Sequence, residues 1–141
     1  MTETSHNLNL PFITAAQAQK HVTHNEALRA LDVIVQLSVL SRGVSVPPVM
    51  PENGDHYIIG ENATSSWEGR DSDVAAFQDG TWAFYTPRPG WLAWTVDENA
   101  AYIWTGAAWT QLQINASGSD TMSPFLGVNT AADETNKLAV K

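Results

Sequence analysis

Val74-Ala75-Ala76-Phe77-Gln78-Asp79-Gly80-Thr81-Trp82-Ala83-Phe84-Tyr85 is the stretch on which the fold of this chain turns. Two apolar runs of strand length flank Asp79-Gly80. A two-residue hairpin turn needs positive φ at both central positions, which Gly adopts freely and Asp tolerates, so the stretch predicts an antiparallel hairpin. Turn signals recur on both sides of it. Downstream, Pro87-Arg88-Pro89-Gly90 leads into Trp91-Leu92-Ala93-Trp94-Thr95-Val96, Asp97-Glu98-Asn99 turns the chain back, and Ala101-Tyr102-Ile103-Trp104 meets Trp109-Thr110-Gln111-Leu112 around Thr105-Gly106. Upstream, Pro47, Pro48 and Pro51 stiffen a connector, and Glu52-Asn53-Gly54-Asp55 turns into His56-Tyr57-Ile58-Ile59-Gly60. Residues 43–114 are thus expected to form a small antiparallel β-meander, barrel-like, of about five or six short strands.

Tryptophan dominates this part, with five of the six in the chain falling between Trp82 and Trp109. The segments 75–82 and 101–109 resemble each other as strand, Gly turn and Trp on the return strand. Two copies are too few for a propeller, and cross-strand packing explains them. Trp82, Phe84, Phe77 and Trp104 supply candidate core. Trp91 and Trp94, three apart on one expected strand, point to opposite faces, so one of them is exposed or held in an interface. Trp67, in a polar loop beside Gly69, is expected to pack over the end of the barrel, and is also the best single candidate for a stacking platform.

Before the meander, residues 1–12 read as an arm in which Leu8, Leu10 and Phe12 alternate and Pro11 discourages helix. Residues 13–42 come next as a long amphipathic helix, with Thr14 as N-cap and Gln17 at the capping-box position. Its last third, Val33 to Leu40, is β-branched and could instead become a strand, which leaves the helix end between Asp32 and Ser41. Gln17, His21, His24, Leu28, Leu31 and Val35 share one stripe at steps of three and four, polar at the start and apolar at the end. A second stripe, Ala27, Ala30, Ile34 and Leu37, lies beside it. Such a helix either packs on its own β-module or joins a symmetric bundle in which the polar members fix register. Residues 115–141 read as a connector, rich in Asn, Ala, Ser, Thr and Gly, that ends in Asn136-Lys137-Leu138-Ala139-Val140-Lys141, the start of a further strand.

Composition excludes several classes of function. The chain has 141 residues, 15 acidic against 7 basic, and a formal charge of −8. Phosphate backbones would be repelled, so no nucleic acid is expected as a partner. No run approaches the roughly 20 apolar residues needed to cross a bilayer, so no membrane is expected either. The chain lacks cysteine, which rules out disulfides and thiolate metal sites. His21 and His24 supply two imidazoles without a third ligand, and no metal or other cofactor is expected. Asp71, Asp73, Asp79, Asp97 and Glu98 lie in turns, where carboxylates are ordinarily solvated. No nucleophile-elbow spacing or phosphate-binding loop occurs, so the chain reads as a protein without catalytic residues.

The run Leu10-Pro11-Phe12-Ile13-Thr14-Ala15-Ala16-Gln17-Ala18-Gln19-Lys20-His21-Val22-Thr23-His24-Asn25-Glu26-Ala27-Leu28 resembles the opening of an uncharacterised domain family of phages, prophages and gene transfer agents of alphaproteobacteria. Gly54-Asp55-His56-Tyr57-Ile58, Ala76 to Trp82, Pro87 to Trp91 and Leu126-Gly127-Val128-Asn129 extend the resemblance over nearly the whole chain. It implies a structural virion component made in the bacterial cytoplasm, the base or collar of a head spike or tail fibre that self-assembles and anchors the part binding the host surface. The stripe from Gln17 to Val35 would be the oligomer interface, a trimer or, at a vertex, a pentamer, beside a neighbouring virion protein. The alternative is a carbohydrate-binding module that touches capsular polysaccharide through Trp67, Trp91 or Trp94.

Overall fold

A computed structural model of the chain describes residues 3–13 and 20–113. The helix is short. α1 spans Lys20–Ile34 and stops two residues into the β-branched run. Val35 still donates to the Leu31 carbonyl, and Gln36 then takes a left-handed φ of 54° that turns the chain out of the helix. The expected long helix over 13–42 is therefore wrong, because Val33 to Leu40 gives its second half to strand. Thr14 and Gln17 lie outside the described residues, as does the expected connector and strand over 115–141.

The β-module is not an antiparallel barrel but two mixed four-stranded sheets. The extended segment after Gln36 serves both. Its first piece, β1 (Ser38–Val39), pairs in parallel with β6 (Leu92–Thr95), and its second, β2 (Ser41–Val44), pairs in parallel with β3 (His56–Ile59). Leu40 sits at the switch, donating to the His56 carbonyl and accepting from the Asp97 N–H. The first sheet runs β2-β3-β4-β5, with β4 (Val74–Gln78) and β5 (Thr81–Tyr85), and the second runs β1-β6-β7-β8, with β7 (Ala100–Trp104) and β8 (Trp109–Gln111). The hairpins closed by Asp79-Gly80, Asp97-Glu98-Asn99 and Thr105-Gly106 form: β4–β5 closes on Asp79 and Gly80 at φ 52° and 78°, and β6–β7 and β7–β8 are antiparallel, whereas the meander expected across Pro87-Arg88-Pro89-Gly90 breaks there, because β5 and β6 belong to different sheets. Local turn chemistry determined those pairings, whereas the two parallel pairings join segments distant in sequence and leave no local mark.

The sheets pack on a shared core of Val33, Leu37, Val39, Ile58, Val74, Ala76 and Ala93, bordered by Tyr85 and Trp109. Trp109 ties them together by donating its indole N–H to the Ser72 carbonyl of the first sheet's loop at 3.0 Å. The first sheet has a second core on its other side. There Ile59 and Ala75 are roofed by the loop of residues 60–73, which inserts Ala63 and Trp67 against Tyr57, Trp82 and Phe84. The Asp71 carboxylate holds that loop closed by accepting the N–H groups of Asn62 and Ala63. Burial on both faces explains why β3 and β4 are apolar at every position but His56 and Gln78.

Candidate functional site

α1 turns its most polar side inward. Asn25, Arg29, Asp32 and Val33, spaced by about one and two turns, face the protein, and Asp32 is only 3% exposed. A buried carboxylate needs donors, and the amino-terminal arm provides them. Ser5 Oγ and the Leu8 N–H donate to Asp32 Oδ1 at 2.7 and 2.5 Å, while the Asn7 N–H and its Nδ2 donate to Oδ2 at 2.9 and 3.2 Å. The arm is shaped for this. It folds back on itself through the Thr4–Pro11 bridge, with Asn9 at φ 56°, and Ser5 Oγ also accepts the Leu10 N–H. Ile13 is fastened at both its N–H and its carbonyl to the Asn25 side chain. Of the alternating apolar residues of the arm, Leu10 and Phe12 are half-buried, Phe12 under the Arg29 guanidinium, and the polar clamp fastens the arm to Asp32.

Beneath the clamp lies a cavity of about 40 Å³, edged by Asp32, His56, Arg29, Asn53 and Gln78 and sized for a water-like group. His56 belongs to the latch. Its Nδ1 lies 3.1 Å from the Ser38 carbonyl and must donate to it, which leaves Nε2 as acceptor for Asn7 Nδ2 at 3.2 Å. Burial pushes the His56 pKa below its ordinary 6.5, against the smaller upward pulls of the Ser38 carbonyl, Asp32 and Asp55. A protonated Nε2 would set an N–H against the Asn7 side-chain NH2. Since the unfolded chain takes up this proton first, stability held above pH 6.5 is lost as pH falls through and below that value. Urea unfolding at pH 7.5 and 5.5 is expected to show a lower midpoint at the acid pH, with the difference diminished in His56→Gln; an unchanged difference in that variant would remove His56 from the latch. The turn at Gly54 is part of the same contact, because its φ of 100° and the His6 ring, 2.2 Å from where a Cβ would stand, both require glycine.

Ser5, Asp32 and His56 do not form a nucleophilic relay. The Ser5 hydroxyl is engaged by Asp32 itself, and the imidazole faces Asn7 and Ser38. Among the described residues no group of three His, Asp or Glu side chains is arranged to hold a metal. A separate polar triad joins the sheets, in which Arg42 pairs with Glu98 at 3.0 Å and stacks over Tyr102, whose hydroxyl donates to Glu98. The Tyr102 hydroxyl and then Arg42 hold the Glu98 pKa below its ordinary value.

A second candidate surface is apolar. Alternation along β6 buries Ala93 and Thr95 and lifts Leu92, Trp94 and Val96 to the outside, 52%, 43% and 50% exposed. The register sets Ser38 and Ala101 on either side of Trp94 and Ile103 beside Leu92, with Leu40 and Leu112 at the borders. No ionisable side chain stands in this row.

The structure distributes the sequence-predicted site residues unevenly. Of the helical stripe, Gln17 lies outside the described residues, His21 is on α1, His24 and Leu31 are exposed, Leu28 is half-buried, and Val35 is exposed just past the helix end. His24 and Leu31 lie on the side of α1 turned away from the core. Trp67 is completely buried, so its ring offers no face to a sugar, and it fills the core under its own loop. Trp91 is half-buried before β6, and Trp94 is the one of the three that presents an open ring. Asp32 and the outer face of the second sheet were not singled out from sequence. Asp32 carried no signal for this role, since a carboxylate on a helix is ordinarily solvated.

A family model described as a protein of unknown function, DUF2793, matches residues 24–110. The chain belongs to the DUF2793 family. No curated protein matches it. The DUF2793 segment contains α1 from His24 and all but the last residue of β8, and so holds Asp32 and His56. The arm that supplies the donors lies ahead of the DUF2793 segment. The match names no particle, host or activity.

Proposed function

We propose that this chain is a non-enzymatic structural component of a phage-like particle, the base or collar of a head spike or tail fibre that self-assembles and anchors the part touching the host surface. The observation that carries this reading is the apolar outer face of the second sheet, uncovered among the described residues on a double-sheet core. A contiguous exposed patch of that kind marks a surface built to be covered. The exposed stripe of α1, with Leu31 and Val35, adds a second such surface and supports assembly into a trimer or pentamer. The resemblance of the run from Leu10 to Leu28 to particle proteins supplies the setting.

The alternative is direct contact with a capsular or surface glycan, and the exposure of Trp94 favours it. Sugars, however, are recognised by rings flanked with hydrogen-bonding groups, and the neighbours of Trp94 are mostly aliphatic. That environment favours a protein partner. Gold-labelled antibody against the chain, applied to purified phage-like particles from the encoding bacterium, is expected to decorate head vertices or tail tips. Unlabelled particles, with the chain found only in the cytosol, would refute the reading.

A further inference from the structure

We propose that the outer face of the second sheet seats a second copy of this chain, sheet against sheet, with Trp94 near the centre of the contact. The proposal rests on the self-assembly reading above and adds to it one face that joins copies in pairs. Charge selects the occupant. The chain carries a formal charge of −8, yet the row formed by Ser38, Leu92, Trp94, Val96, Ala101 and Ile103 has no ionisable group. A partner recognised through charge would find nothing to pair with there, whereas two copies can bring this face together without opposing like charges. Glu98, the acid on the turn beyond Val96, is already engaged by Arg42 and Tyr102.

Size and shape agree with that occupant. Leu40, Leu92, Trp94, Val96 and Leu112 are each between 39% and 52% exposed, which amounts to roughly 400 Å² of large apolar side chain, within the range of functional patches. Two such faces with their rims reach the order of 1,200 Å² at which specific interfaces begin. Strands of packed sheets lie nearly aligned, their side chains interdigitating, and a two-fold contact of this face with itself places each Trp94 against the aliphatic row of the other copy. A buried aromatic ringed by aliphatic groups is the composition of an interface centre.

The test is sedimentation equilibrium of the full chain up to about 100 µM, wild type beside Trp94→Asp and Leu31→Asp, with thermal unfolding as the control for folding. The native chain has no cysteine, so a Ser38→Cys variant with added oxidant reports only contact between copies. Expected are a self-associating wild type, a dissociation constant raised about 100-fold or more in Trp94→Asp, a smaller change in Leu31→Asp, and covalent dimer from Ser38→Cys that is lost when Trp94→Asp is added. Association unchanged in a folded Trp94→Asp would overturn this face while leaving self-assembly intact. A monomeric wild type would overturn both.

Discussion

Asp32→Ala is expected to detach the amino-terminal arm and lower the unfolding free energy by about 3–5 kcal/mol, since hydrogen bonds to a charged acceptor contribute about 1.5–3 kcal/mol each. Four donors converge on this carboxylate, from Ser5, Asn7 and Leu8. Their simple sum would overshoot, because an arm that has lost its anchor swings into water and its donors rehydrate. The loss is therefore bounded by the free energy of docking the arm. A double-mutant cycle separates the two contributions: in a chain lacking residues 1–12, Asp32→Ala should cost far less, because the carboxylate has no arm to hold and is open to solvent. Asp32→Asn, which keeps the shape and one acceptor, should fall between. Equal losses from Asp32→Ala with and without the arm, measured by urea unfolding, would show that Asp32 acts within α1 alone.

Much of the second sheet and half of the first was legible before the structure, and the boundary is physical. Asp79-Gly80, Asn99 and Gly106 demand positive φ, a constraint written in single residues, so the hairpins they close could be located. The segment from Val33 to Val44 carries no such constraint. Its β-branched residues suit either a buried helix or a strand, and pairing with β6 on one side and β3 on the other decides the matter from far along the chain. The same distinction separates the two candidate surfaces. Alternation predicted that one of Trp91 and Trp94 would be exposed, but that the whole row around Trp94 is uncharged became visible only when the register placed Ser38, Ala101 and Ile103 beside it. An aspartate in the last turn of a helix reads as solvated until the arm that covers it is found.

Trp67 packs into the core despite its polar sequence context, and its substitution is the second large effect. It sits among Ser65, Ser66, Glu68 and Gly69, yet it is completely buried, with ring centroids 5.0 Å from Trp82 and 5.8 Å from Tyr57. Burial follows from the loop's closure, in which Asp71 clamps Asn62 and Ala63, and Ser45 binds the Glu61 carbonyl, so that the indole is pushed onto Ile59 and Ala75. Removing it leaves a cavity that β3 and β4, paired on both sides, cannot collapse to fill. Trp67→Ala is expected to cost about 3–5 kcal/mol. Trp67→Phe is expected to stay within about 1.5 kcal/mol of wild type, because the indole N–H has no protein partner among the described residues, and losing a desolvated donor offsets part of the lost ring. Denaturant midpoints of the two variants separate this core role from a surface one. If both variants unfolded like the wild type, Trp67 would lie outside the core, and the ring would return as a candidate for stacking on a sugar.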